Sequence, residues 1–210
     1  MLNFIKKVQN DKRGYLYHYF RIFLLEILRF LSQSYVLVAI CKGIKLGKQS
    51  RFFGKPYFVR YPNSVVTIGS GCTFRSISFS NLIGINHRCI IATISKFGKI
   101  SIGNNCGFSG TTIGAGELIS IGNDVLVGAN SLITDSDWHA IDPVYRNTYP
   151  AKTAPVYIEN NVWIGYNVTI LKGVRIGENS IIAANSLVVK DIPPNVIAGG
   201  NPCKIISKLS

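Results

Sequence analysis

The chain has 210 residues, 47 % hydrophobic and only 16 % charged, with a formal net charge of +13. That is enough for a sizeable core, and so lean a charge content implies apolar surface turned toward a partner. Five cysteines (Cys41, Cys72, Cys89, Cys106, Cys203) include no C-x-x-C pair and leave an odd one over, which argues against a disulfide framework or zinc knuckle and points to a reducing cytoplasm.

The basic character belongs to residues 1–60, which hold twelve Lys or Arg against Asp11 and Glu26 and so carry +10 of the +13. Within them, Tyr15 to Ile40 reads as a helix or helical pair. Leu16, Phe20, Phe23, Leu24, Ile27, Phe30 and Leu31 form a broad apolar face, and His18, Arg21, Arg29, Ser32 and Gln33 a narrower polar one. Arg21, Glu26 and Arg29 would sit in hydrocarbon, and an uninterrupted apolar run of about 20 residues is missing, which speaks against a membrane span. No small-residue cleavage site comes after it, so a secretory signal is also disfavoured. Two readings of the helix stand. It caps the open apolar end of the next domain or packs on a neighbouring subunit, or it lies in a membrane interface with its cations at anionic headgroups. Nucleic acid is a weaker partner, since the cations alternate with bulky aliphatics and no binding motif is present.

After this segment, Ile68-Gly69, Ile83-Gly84, Ile102-Gly103 and Ile113-Gly114 mark turns out of strict phase, and Ile121, Val127 and Ile133 settle into a spacing of six. Cys72, Cys89 and Cys106 lie 17 apart, about one coil, and are expected to stack as small buried residues. From Ile158 the pattern is strict: Ile158, Ile164, Ile170, Ile176, Ile182 and Val188, with Gly165 and Gly177 directly after two of them. A strand has period two and a helix 3.6, so a period of six demands one short strand and one tight turn per repeat, stacked into a solenoid. Asn and Asp after the glycines (Asn104, Asn105, Asn123, Asp124, Asn160, Asn161, Asn179) suit left-handed turn positions. The expected organisation is a helical segment 1–60, an all-β solenoid 61–203 and a tail 204–210.

One interruption is evident, at residues 134–157, where Asp135, Asp137, Trp138, His139, Asp142 and Arg146 concentrate. Loops extruded from a rigid solenoid tend to carry function. Of three histidines, His139 alone is flanked by several carboxylates. Imidazole suits proton abstraction from a hydroxyl near neutral pH, with a carboxylate fixing its tautomer. From the residues alone, a merely solvated loop histidine stands beside that reading.

The stretch D-S-D-W-H-A-I-D-P-V-Y-R, with P-V-Y-I-E-N-N-V-W-I-G-Y-N-V-T-I-L-K-G-V-R-I-G-E-N-S-I-I-A-A-N-S and V-K-D-I-P-P-N-V-I-A-G-G-N-P-C-K, resembles the left-handed β-helix acyltransferases over about residues 100–206. Within them it is most similar to the galactoside, maltose and capsular-polysaccharide O-acetyltransferases. The resemblance implies a left-handed parallel β-helix, assembled as a homotrimer with acetyl-CoA between adjacent solenoids. It implies that His139 is the general base for direct attack of an acceptor hydroxyl on the thioester; beside it Asp137 and Asp142 are candidates for orienting the imidazole or binding the saccharide, and Arg146 for holding the loop's carboxylates or binding the acceptor. The same carry-over makes Trp163 a wall of the pantetheine channel and Tyr166 a backbone contact of the cofactor. It makes Ala184 a small residue beside the thioester, Gly128 a small residue near the thiol, and Lys190 and Lys204 phosphate contacts. No metal is implied.

The N-terminal segment departs from the sugar acetyltransferases, as does F-S-G-T-T at Phe108–Thr112, which lacks their acceptor-binding asparagine. The acceptor is therefore open, with surface-polysaccharide enzymes the better match. A zinc enzyme of the γ-carbonic-anhydrase type needs three converging histidines, and only His87 and His139 remain in the solenoid. An N-acetyltransferase acting on an amino sugar or other amine is the nearest alternative, and a non-enzymatic solenoid a more distant one. The expected location is the cytoplasm, with contact at the inner membrane face if the helix is interfacial.

Overall fold

The computed structural model describes residues 10–148 and 150–209. Two helices lead in, α1 (Lys12–Leu31) and α2 (Ser34–Cys41), with the Asp11 carboxylate capping α1 by accepting from Gly14 N at 2.9 Å. The rest is a three-faced left-handed parallel β-helix, as the repeat and the resemblance imply. Face one stacks Lys45–Leu46, Val65–Ile68, Lys99–Ile102, Leu118–Ile121, Val156–Ile158 and Arg175–Ile176. Face two runs through Arg51–Phe53, Thr73–Arg75, Gly107–Ser109, Leu126–Val127, Trp163–Ile164 and Ile181–Ile182 to Val196–Gly199. Face three carries Tyr57–Val59, Ile90–Thr93, Thr112–Ala115, Leu132–Thr134, Thr169–Ile170 and Leu187–Val188.

The six-residue spacing becomes three vertical ladders. Ile121, Ile158 and Ile176 superpose on face one, Val127, Ile164 and Ile182 on face two, and Ile133, Ile170 and Val188 on face three, all buried. Each such side chain contributes about 1.5–3 kcal/mol of hydrophobic stabilisation, so the ladders dominate the core. At the N-terminal end the face-two ladder is aromatic. Phe52, Phe74 and Phe108 stack with ring centroids 5.3 and 5.2 Å apart, and Phe58 meets Phe52 and Phe74 edge-on.

Paired turn residues divide two tasks. Asn105, Asp124, Asn161 and Asn179 take left-handed backbone angles. Asn104, Asn123 and Asn160 instead use Oδ1 to accept the backbone N–H of Ser70, Asn104 and Asn123 one coil away, each at 2.8 Å. Left-handed tolerance thus explains only the second asparagine of each pair.

Several expectations are corrected. The solenoid starts at Lys45, inside the segment 1–60 assigned to helix, because Lys45–Val59 already forms a complete coil whose strands pair with the next. Within the segment 204–210 assigned to a C-terminal tail, Lys204–Lys208 is a strand that pairs antiparallel with Val196–Gly199 and closes face two. A second interruption spans residues 76–89, so Ile83-Gly84 lies in an extruded segment with Ile83 exposed, not at a coil turn. That insertion lengthens the coil, so Cys72 stacks on Cys106, while Cys89 lies at the entry to face three.

The helical segment is a pair that splits the two readings. On α2, Ala39 is buried and Tyr35 and Val36 pack on the core, so α2 caps the first coil. Helix α1 buries no residue, and Leu16 and Phe30 are 74 % and 77 % exposed. By length and composition alone, Lys12–Cys41 is long and apolar enough to cross a bilayer. Glu26 and Arg29 pair at 2.6 Å on the exposed side of α1. Arg21 is directed elsewhere, donating from Nη2 to the Phe79 carbonyl at 3.5 Å.

Candidate functional site

The loop after face three is anchored by a buried carboxylate. Asp135 is fully buried and accepts the backbone N–H groups of Gly116 (2.6 Å), Glu117 (2.8 Å) and Leu118 (2.6 Å), which turn the chain on the coil below. Burial pushes this carboxyl above the ordinary range, and the three N–H donors oppose that shift. Above it the two limbs pair: Ala154 N donates to Asp135 O at 2.9 Å and Asp137 N to Lys152 O at 3.1 Å.

At the top of this neck the backbone turns through Trp138, whose φ of +65° is uncommon for a bulky residue. Its indole compensates by donating from Nε1 to Thr134 Oγ1 at 3.0 Å and by lying over Gly114, where a Cβ would come within 2.8 Å of the ring. Gly114 is thus a packing site for Trp138 within a strand, not the turn its Ile-Gly pair suggested. A groove of about 730 Å³ opens beside the neck, with Trp138, Ser136, Glu117 and Phe97 among its walls.

This geometry presents His139 to solvent on a braced turn, with no hydrogen bond from the described residues. Asp137 does not orient it within the chain. Its Oδ1 meets Lys172 Nζ at 2.5 Å, while Oδ2 is buried without a partner among the described residues. Asp142 and Arg146 shape the loop tip: Asp142 Oδ1 accepts Val144 N at 2.9 Å, and Arg146 donates to the Ile141 carbonyl at 3.4 Å. Lys172 was missed by sequence reading, since it stands 35 residues from Asp137 and only the stacking of coils joins them.

The expected coenzyme residues fall on the other side of the molecule. Gly128, Tyr166 and Ala184 lie on successive coils at the corner between faces two and three. A Cβ on Gly128 would sit 2.4 Å from the Gly165 backbone, so that glycine is required by the close approach of coils. Trp163 projects from face two, 54 % exposed, and lines a cavity of about 320 Å³ with Gly128, Leu126 and Gly107. Lys204 is exposed beside Gly199 at the C-terminal end of face two, whereas Lys190 is exposed beyond the far end of face three. His139 leaves at the corner between faces three and one, opposite face two, so one chain does not bring base and cavity together. Among the described residues no group of three or more His, Cys, Asp or Glu could hold a metal ion.

Residues 155–190 match the model of the bacterial transferase hexapeptide (six repeats), and residues 118–134 that of the hexapeptide repeat of succinyl-transferase. A galactoside O-acetyltransferase of Lactococcus lactis is 48 % identical over 92 residues, 44 % of each chain. The chain spans about half the length of the curated relatives it matches. A hexapeptide-repeat-containing acetyltransferase of Vibrio cholerae, solved with acetyl coenzyme A, superposes with a TM-score of 0.53 at 28 % identity, covering 85 % of this chain and 78 % of that one. An N-acyltransferase of Bacillus cereus, solved with dTDP and 3-hydroxybutyryl-CoA, shares the fold at a TM-score of 0.65 and 21 % identity, over 84 % and 88 % of the two chains. The ladders of every sixth residue are thus hexapeptide repeats, and over about half its length the chain is similar to hexapeptide-repeat acetyltransferases.

Proposed function

We propose that this protein is an acetyl-CoA-dependent O-acetyltransferase that acetylates a hydroxyl of a saccharide in surface-polysaccharide assembly. The observation that carries the reading is the pair of half-sites: an unpartnered His139 on a braced loop, and an exposed Trp163 beside a cavity on the opposite face. One matched relative is a galactoside O-acetyltransferase, and the Vibrio cholerae acetyltransferase was solved with acetyl coenzyme A.

The half-sites complete one another when face two of one solenoid lies against the loop corner of the next. A cyclic homotrimer repeats that contact three times and leaves none open. In it, His139 takes the proton from the acceptor hydroxyl as the oxygen attacks the thioester carbonyl, and coenzyme A leaves without a covalent acyl-enzyme. A backbone N–H near Ala184 stabilises the developing oxyanion. The Asp137–Lys172 pair braces the loop beneath His139, and Asp142 and Arg146 face the saccharide. Trp163, Tyr166 and Gly128 hold the pantetheine arm, and Lys190 and Lys204 the phosphates. Exposed apolar residues of α1 support peripheral contact with the cytoplasmic membrane face.

The test is release of coenzyme A with a panel of acceptors in which hydroxyl-only saccharides are paired with amino sugars of the same stereochemistry. Turnover with the hydroxyl sugars is expected. Turnover confined to the amino sugars would replace this reading with N-acetylation of an amine.

A further inference from the structure

The cations of the N-terminal coils converge where the proposed mechanism does not use them. Arg51 opens its face-two strand, and Arg75 ends the next one, in register with Phe53. Arg75 lies over the Phe53 ring at 4.5 Å and donates from Nη1 to the Ser80 carbonyl at 2.7 Å. Arg21 reaches down from α1 to the neighbouring Phe79 carbonyl, and its Nε is buried without a partner among the described residues. The extruded segment 76–89 thus holds two of the three guanidiniums through consecutive carbonyls. Burial, then the positive charges of Arg51 and Arg21, pull Arg75 below its ordinary value.

No counter-charge resolves this cluster. The ion pairs among the described residues are Arg29–Glu26, Lys172–Asp137 and Arg175–Glu159, and none includes Arg21, Arg51 or Arg75. Asn105, on the cavity wall, donates from Nδ2 to the Asp124 carboxylate at 3.1 Å. Arg51 and Arg75 line the same 320 Å³ cavity as Gly107, Gly128 and Trp163.

We propose that Arg51 and Arg75, with the positive charge of Arg21 behind them, are the anion site of the acceptor, binding a phosphate or diphosphate ester carried by the saccharide that enters this cavity. The inference rests on the acetyltransferase reading and names its substrate class. A single carboxylate would leave most of the triple positive charge standing, whereas a diphosphate offsets it. Guanidinium forks match phosphate oxygens in pairs, and scaffold carbonyls have already oriented two of them. Anchored there, the saccharide points along face two toward Gly128 and Trp163. A lipid-linked saccharide and a soluble nucleotide sugar both carry this group.

The test is calorimetric titration of the full chain with inorganic pyrophosphate in the presence of saturating acetyl-CoA, so that the coenzyme's own phosphate contacts are filled. Submillimolar binding is expected, weakened about tenfold or more in Arg51→Gln by loss of one charged fork, with acetyl-CoA affinity unchanged. Arg75→Lys, which keeps the charge but not the fork, should weaken pyrophosphate while the unfolding midpoint stays near wild type. Equal binding by wild type and Arg51→Gln, or binding abolished by acetyl-CoA, would overturn the proposal. Uridine diphosphate in solution and geranylgeranyl diphosphate in phosphatidylcholine vesicles separate the two sources. Arg51-dependent binding of either supports the site and the tighter one names the source, whereas Arg51-independent binding of both counts against it. Loss of acetyl-CoA binding alone would refute the acetyltransferase reading and leave the pyrophosphate result readable.

Discussion

His139→Ala is expected to lower turnover at least about a hundredfold, the usual range for removing a general base, while acetyl-CoA affinity stays within about twofold. The reason lies in where the imidazole sits. It is exposed at the end of a neck whose geometry is set by Asp135, the Thr134–Trp138 bond and the Asp137–Lys172 pair, none of which uses the ring. Deleting the ring therefore removes a proton acceptor without removing a brace, and the coenzyme residues lie on another face. His139→Gln, which keeps polarity but not basicity, should be as impaired. A turnover near wild type in either variant would remove His139 from the chemistry.

Asp135→Ala is expected to produce the largest loss of stability among single changes in the loop, about 3 kcal/mol or more, read as a fall in the urea midpoint. Three backbone N–H groups converge on this one carboxylate in a fully buried site, and alanine would leave all three without an acceptor. Each unsatisfied buried donor costs on the order of 1–3 kcal/mol, relieved in part by whatever water can enter. Asp135→Asn keeps the volume but replaces one oxygen with an NH₂ that faces donors, so it should recover part of the loss. Because Asp135 also accepts Ala154 N through its carbonyl at 2.9 Å, the neck should loosen and activity fall with stability. An Asp135→Ala variant with a wild-type midpoint would contradict the anchoring role.

The C-terminal half was legible because each coil spends one residue per position. The ladders through Ile164, Ile170 and Ile176 are then fixed by spacing alone. The N-terminal half was not, for two physical reasons. Its inner ladder is built from Phe52, Phe74 and Phe108, which share no spacing, and the extrusion at 76–89 shifts the phase of the coils on its C-terminal side. An Ile-Gly pair cannot tell a corner such as Ile102-Gly103 from an extruded loop such as Ile83-Gly84.

In the site, the loop stood out by composition, and His139 by its neighbours. The partner of Asp137 did not, because Lys172 reaches it only through the register of Leu132–Thr134 on Thr169–Ile170. Arg21 and Arg51 were visible only within the net charge of residues 1–60 and Arg75 not at all, since a helix, two coils and a loop must fold to bring the three together. Motif resemblance supplied roles for Trp163 and Ala184 that neither burial nor hydrogen bonding singles out.

The central claim is that face two receives acetyl-CoA, and isothermal titration of the purified full chain with acetyl-CoA tests it most directly, beside the Trp163→Ala, Lys204→Ala double variant. Micromolar binding by wild type, lost in the double variant while its unfolding midpoint holds, is the result this account predicts. Absence of binding by a folded, homotrimeric wild type would contradict it and favour a solenoid that serves as a binding surface without acyl transfer.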